Sequence, residues 1–117
     1  KKTEKQLNKR TIAINNAMKE ATNTPFKTLI YCRDIMNLAL EAAQHGNPTS
    51  ISDAGVAGEM ANAGARGAAL NVFINLKDIQ DKKFCVKMKT NTEDLVKDAD
   101  KLLMKTRRTV SKIMNND

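Results

Sequence analysis

Five polar residues in the middle of this sequence have types and spacings that suit ligand chemistry. Ser50, Ser52 and Asp53 stand together just after Pro48, where a helical pattern begins. A helix N-terminus presents free N–H groups that bind carbonyl or carboxylate oxygens, and hydroxyls and a carboxylate beside them can hold a polar ligand. Asp53 also has a simpler role open to it, as a first-turn acid that caps the helix and complements its dipole. Asn71 and Asn75 are four residues apart and so share a helix face. The same face continues by helical spacing through Ala68, Gly64, Met60 and Ala57 to Asp53. A stripe of small residues thus carries a carboxylate at one end and two amides at the other, and a flat ligand could lie along it. The two amides would serve equally well to satisfy buried backbone groups of a neighbouring helix.

Other candidates have plainer readings. Glu59 and Arg66, with Asn62, fall on a different face two turns apart, and a surface or interface charge pair is expected there. His45 closes a helix, where a cation is favoured by the dipole, and no partner residue for catalysis stands near it in sequence. Cys32 and Cys85 lie on helical stretches beside apolar residues and read as reduced thiols packed in a core, in a reducing compartment. With no Cys-x-x-Cys pair and one histidine, the sequence holds no zinc constellation, and no metal is expected.

The elements that must position these residues are helical. Aromatic residues are 3% of the 117 residues, so the core is aliphatic, which favours helices over sheets. Thr3 and Gln6 form a capping box, followed by Leu7, Thr11, Ile14, Met18 and Ala21 on one face of an amphipathic helix over about 4–22. Thr24-Pro25 reads as a second start, an N-cap followed by proline at the first helical position. That second helix, 25–44, is apolar nearly all round and ends at His45-Gly46-Asn47-Pro48, with Gly46 available for a left-handed cap. Ser50 or Ser52 caps a third helix running to Lys77 or Asp78. It carries Gly55, Gly58, Gly64 and Gly67, each costing about 1 kcal/mol against alanine. Close approach of another backbone or of a flat ligand would offset that cost. Asp81 caps a long final helix over about 82–114, with a break possible at Asn91-Thr92-Glu93-Asp94. The expected fold is all-α, one helical domain over 1–117 with about four helices, two amphipathic and two nearly all apolar.

Two amphipathic helices cannot cover two that are apolar around most of their circumference. Further helices are therefore expected, from a second copy or from another part of the same protein. The chain opens on Lys-Lys without an initiator Met, which points to a fragment or a processed start. The longest apolar stretch, 54–76, is interrupted by Glu59, Asn62 and Arg66, so no membrane span is expected, and no signal peptide is found. The net charge is +7, with basic residues gathered near both ends, from Lys5, Lys9 and Arg10 to Lys105, Arg108 and Lys112. No aromatic residue is interleaved with them to stack on bases, so nucleic acid is not the expected partner.

The run Gly46-Asn47-Pro48-Thr49-Ser50-Ile51-Ser52-Asp53-Ala54-Gly55-Val56-Ala57 leads into Met60-Ala61, then Arg66-Gly67-Ala68-Ala69-Leu70-Asn71-Val72 and Ile74-Asn75-Leu76-Lys77. Upstream, Ala17-Met18-Lys19-Glu20-Ala21-Thr22 precedes Thr24-Pro25. These segments resemble the formiminotetrahydrofolate cyclodeaminase and methenyltetrahydrofolate cyclohydrolase family, in order and over essentially the whole chain. The resemblance implies a reduced folate substrate, no cofactor, a cytoplasmic location and a homo-oligomer, taken as a dimer. It also implies that this sequence is the C-terminal half of the family domain. The Pro-Gly-Gly-Gly-Ser segment and the acidic stretch assigned to acid–base work in the family have no counterpart here, so the catalytic residue is left unknown.

Two reactions fit that resemblance equally. One is cyclodeamination of 5-formiminotetrahydrofolate to 5,10-methenyltetrahydrofolate and ammonia. The other is hydrolysis of 5,10-methenyltetrahydrofolate to 10-formyltetrahydrofolate. In either, Ser50, Ser52, Asp53, Asn71 and Asn75 are the candidate substrate-binding residues. The alternative is a non-enzymatic assembly module that packs through helices 25–44 and 51–77.

Overall fold

A computed structural model describes residues 3–115. It contains three long helices, α1 (Glu4–His45), α2 (Ile51–Leu76) and α3 (Lys82–Met114), with a short 3-10 turn at Pro48–Ser50. Among the described residues there is no strand, so the all-α class is observed. The bundle is a rod of 73 × 19 × 16 Å. α2 runs antiparallel to both neighbours, and α1 and α3 run side by side in the same direction. Lys19 reaches Asp81 and Arg33 reaches Asp98, while Asn62 reaches Asp100 and Glu59 reaches Arg107.

The helix count differs from the expected four because the first two predicted helices are one. Thr24-Pro25 does not start a helix; Pro25 lies inside α1. An interior proline removes one backbone donor and leaves the carbonyl four residues earlier without its partner. That carbonyl belongs to Ala21, and the Asn75 side-chain amide of α2 donates to it at 3.4 Å. On either side the Thr22 and Thr28 hydroxyls donate back to Met18 and Thr24 carbonyls at 2.8 and 3.1 Å, the ordinary habit of threonine inside a helix. Tertiary packing thus splints a helix that local sequence would break.

The predicted ends fare unevenly. The Thr3–Gln6 capping box is formed, with bonds of 2.8 and 3.2 Å. Asp81 caps α3 by accepting from the Phe84 N–H at 3.1 Å, and α3 continues through 91–94 unbroken. Gly46 is not left-handed. It is extended at φ −82°, its N–H donates to the Ala42 carbonyl, and a Cβ there would collide with that same oxygen. Close approach, not positive φ, is what requires glycine. Ser50 precedes α2 but caps nothing with its side chain, because its own backbone is already nearly helical at φ −104°, ψ 11°. The side chain of Asn47 caps the 3-10 turn instead, at 3.0 Å from the Thr49 nitrogen.

The core is aliphatic, centred on Leu29 and Met36 of α1, Ala65 and Val72 of α2, and Ala99 and Leu102 of α3. The glycines of α2 set how closely the helices approach. A Cβ on Gly58 would stand 3.3 Å from a Thr106 methyl, and one on Gly64 would stand 3.0 Å from the Cys32 sulfur. α1 outruns its neighbours: residues 4–14 are exposed throughout, and the predicted stripe of Leu7, Thr11 and Ile14 stays exposed with them. Asn15 is where the bundle begins on that side, accepting from the Gln80 N–H at 3.0 Å.

Candidate functional site

The first turns of α2 and the last turns of α3 enclose a groove of about 500 Å³. Its walls are mainly Val56, Met60, Val110 and Met114, with Ser52 and Ser111 as hydroxyl donors at the end where α2 begins. Along one edge Glu59 and Arg107 form a two-pronged pair, with the Arg107 Nε and Nη2 donating to the two carboxylate oxygens at 2.6 and 2.7 Å. The arginine holds the Glu59 carboxyl below its ordinary range and the carboxylate holds the guanidinium above its own.

The five sequence candidates divide between two ends of α2. Ser50, Ser52 and Asp53 are exposed, and of these Ser52 lines the groove. Asn71 is exposed at the far end, and Asn75 is half-buried with its amide donating to Ala21. Asp53 and Asn71 are 18 residues apart, about 27 Å along a helix axis. Between them α1 takes the middle of the stripe, since Ala68 is buried and Gly64 lies against Cys32.

The expected pairing of Glu59 with Arg66 is not made. Both reach across to α3: Glu59 to Arg107 as above, and Arg66 to Asp100, which also accepts from the buried Asn62 amide at 3.0 Å. Sequence reasoning missed Asp100 and Arg107. A signal was present, because the acid and base of α2 are seven apart in one order and those of α3 are seven apart in an order that complements it when the helices run antiparallel. A smaller hollow of about 390 Å³ between α1 and α3 is lined by Phe26, Ile30, Arg33 and Asp98, with Arg33 donating to Asp98 at 3.1 Å.

The Cys32 thiol is not poised for nucleophilic work. Burial pushes the Cys32 thiol up, away from the reactive thiolate. The Cys85 thiol faces the carbonyls of Leu76 and Ile79 at 3.6 and 3.5 Å. Among the described residues no three histidine, cysteine or carboxylate side chains gather closely enough to hold a metal ion, and no helix is long and apolar enough to cross a membrane.

An all-helical rod with an apolar groove beside a serine-rich helix start is the class of protein that fold and site define. The chain belongs to the formiminotransferase-cyclodeaminase family, whose model matches residues 1–94. It is 37% identical over 115 residues to a methenyltetrahydrofolate cyclohydrolase of Methylorubrum extorquens, an alignment covering 98% of this chain and 55% of that protein. It is 34% identical over 96 residues to the formimidoyltransferase-cyclodeaminase of Gallus gallus, covering 82% of this chain and 17% of the relative. A Dictyostelium discoideum protein of the same name is 35% identical over 96 residues, with 82% and 18% covered. The chain therefore spans about half the length of the cyclohydrolase and under a fifth of the cyclodeaminases.

Proposed function

We propose that this chain is part of a folate one-carbon enzyme, the C-terminal part of its helical domain, and that it carries one wall of the substrate site. The observation behind the reading is the 37% identity to the cyclohydrolase relative along 98% of the chain. Of the two reactions we put hydrolysis of 5,10-methenyltetrahydrofolate first, because that alignment extends over nearly all of the chain, whereas the cyclodeaminase relatives of chicken and Dictyostelium align over 82%. Cyclodeamination of 5-formiminotetrahydrofolate is the second reading.

In the hydrolysis a water oxygen adds to the carbon bridging N5 and N10, and the amidinium charge is discharged. One water proton passes to a base; the carbon–N5 bond then breaks as N5 takes up a proton and the added hydroxyl gives one up to become the carbonyl, leaving the formyl group on N10 with one proton released overall. In the cyclodeamination N10 adds to the formimino carbon and gives up its proton, and the formimino nitrogen, once protonated, leaves as ammonia to form the methenyl bridge. Neither reaction changes an oxidation state, so neither calls for a redox cofactor. The groove suits the flat pterin, with Ser52 as a polar contact on its lining and Asp53 next to it on the first turn of α2. The proton-transferring acid is not assigned to these helices. The cytoplasm is the compartment that suits two unpaired thiols.

The reading includes assembly with a second copy, because Tyr31, Ile35, Leu38, Val56, Met60 and Leu70 all remain exposed on the rod. The test is to present a purified sample with each folate in turn. Loss of methenyltetrahydrofolate without consumption of the formimino compound supports the hydrolase. Ammonia release supports the cyclodeaminase. Neither, from a sample with the expected helical content that also fails to bind folate, leaves the assembly module.

A further inference from the structure

We propose that a hollow next to the groove, over Arg66 and Arg107, receives the carboxylate tail of the ligand. A folate then lies along the seam between α2 and α3, with its pterin at the start of α2 and its glutamate between the two arginines. The inference rests on the groove being the folate site. It goes beyond that reading by fixing which end of the ligand lies where and which side chains read its charge.

The hollow measures about 340 Å³ and is walled by Asn62 and Arg66 of α2 and by Asp100, Leu103, Met104 and Arg107 of α3. Arg107 also walls the groove, so the two spaces adjoin there. Along α2 the seam runs from Ser52 to Glu59, level with Arg107, and on to Arg66. Those two points lie about 10 and 21 Å from Ser52 along the helix axis. A folate carries pterin, p-aminobenzoyl group and glutamate in a line, roughly 15–20 Å from pterin edge to carboxylates by ordinary bond lengths. With the pterin beside Ser52, the carboxylates come to the stretch between Arg107 and Arg66.

The two guanidiniums are held in place without being used up. Arg107 gives its Nε and Nη2 to Glu59, and Arg66 gives its Nη2 to Asp100. Asp100 is steadied in turn by the buried Asn62 amide at 3.0 Å. An arginine has five N–H donors in a planar fork. Nη1 of Arg107, with Nε and Nη1 of Arg66, has no partner among the described residues. The Arg107 and Arg66 side chains are 54% and 57% exposed, so a carboxylate reaches them with no change in the fold. Exposed ion pairs contribute little to stability, and sharing them with a ligand oxygen costs little.

Charge sets the direction. Between 97 and 108, α3 carries Lys97, Lys101, Lys105, Arg107 and Arg108 against Asp98 and Asp100, and Asp98 is taken up by Arg33 of α1. Lys97, Lys101, Lys105 and Arg108 are exposed, and none pairs with a carboxylate among the described residues. The field over the hollow therefore favours an anion. At the opposite end of the seam Asp53 stands on the first turn of α2, where a second carboxylate is disfavoured.

The test is titration of the full chain with folinic acid and with its diamide, in which both glutamate carboxylates are neutral amides. Folinic acid is expected to bind about tenfold more tightly than the diamide, and added salt to narrow the gap. Arg66→Gln and Arg107→Gln are each expected to narrow it and together to close it, with helical content unchanged and the diamide bound as before. An arginine needed only for the fold would weaken both compounds alike. Equal binding of the two by the unsubstituted chain, equal loss of both in the variants, or a gap that survives the double substitution overturns the proposal and leaves the folate reading standing. Absence of binding by either compound overturns the folate reading and the proposal with it.

Discussion

The Asn75 amide of α2 donates to the carbonyl of Ala21, the acceptor that Pro25 leaves without a helical donor. A proline that would end a helix and an asparagine that reads as a ligand contact are thus two halves of one structural device. Asn75→Ala hands the carbonyl of exposed Ala21 to water, and it is expected to destabilise the fold by about 0.5 kcal/mol, the low end for a lost hydrogen bond because this one is long and water can replace it. Pro25→Ala restores the backbone donor, so the same asparagine substitution in that background is expected to cost much less. A double-mutant cycle by denaturant unfolding measures the difference.

Thr92 carries the other unusual polar atom. Its side chain is fully buried and its hydroxyl has no hydrogen-bond partner among the described residues. Thr92→Val keeps the shape and removes the desolvated hydroxyl, and it is expected to stabilise the chain by about 1–2 kcal/mol. Thr106, equally buried, donates to the Leu102 carbonyl at 2.8 Å, so Thr106→Val is expected to gain less or to lose stability. Thermal unfolding of the two variants side by side checks the contrast.

Two glycines one turn apart are expected to answer differently to the same substitution. A Cβ on Gly55 meets the Val110 methyls at 3.4 Å, an ordinary contact, so Gly55→Ala is expected to stabilise α2 by about 0.5–1 kcal/mol. A Cβ on Gly58 meets buried Thr106 at 3.3 Å, with Leu103 behind it, and Gly58→Ala is expected to lose that gain or reverse it. Denaturation midpoints of the pair decide it.

Stability is expected to fall in acid partly through the α2–α3 ion pair. Glu59 is held below its ordinary value first by its hydrogen bond with Arg107. A depressed folded value means that its contribution is fully present above the unfolded carboxylate range and is lost as pH falls through the folded value. Both groups are half exposed, so the contribution is small and is screened by salt. Glu59→Gln is expected to flatten the stability–pH slope in the acid range at low salt and to change little above neutrality. A pH series of unfolding curves reads both.

Much of this was legible in the sequence, and the misses have causes. The all-α class followed from an aliphatic, proline-poor composition, and the caps at Thr3 and Asp81 followed from local chemistry that nothing else disturbs. The split at Pro25 was read locally and was overruled by a side chain fifty residues away. The partners of Glu59 and Arg66 lie on another helix, so no single-helix reading finds them. Ser50 was expected to cap because serine before a helix does so, but the preceding 3-10 turn had already bent its backbone towards helix. The apolar perimeters of 25–44 and 51–77 were visible in the sequence. Which parts of them stay bare needed the helices placed.

The central claim is that this chain takes part in holding a reduced folate, and isothermal titration with folinic acid tests it most directly, beside the same titration of Ser52→Ala and Asp53→Asn. The account predicts saturable binding that each substitution weakens by about tenfold with no loss of helical content. No binding by a well-folded sample, or binding indifferent to both substitutions, would contradict it.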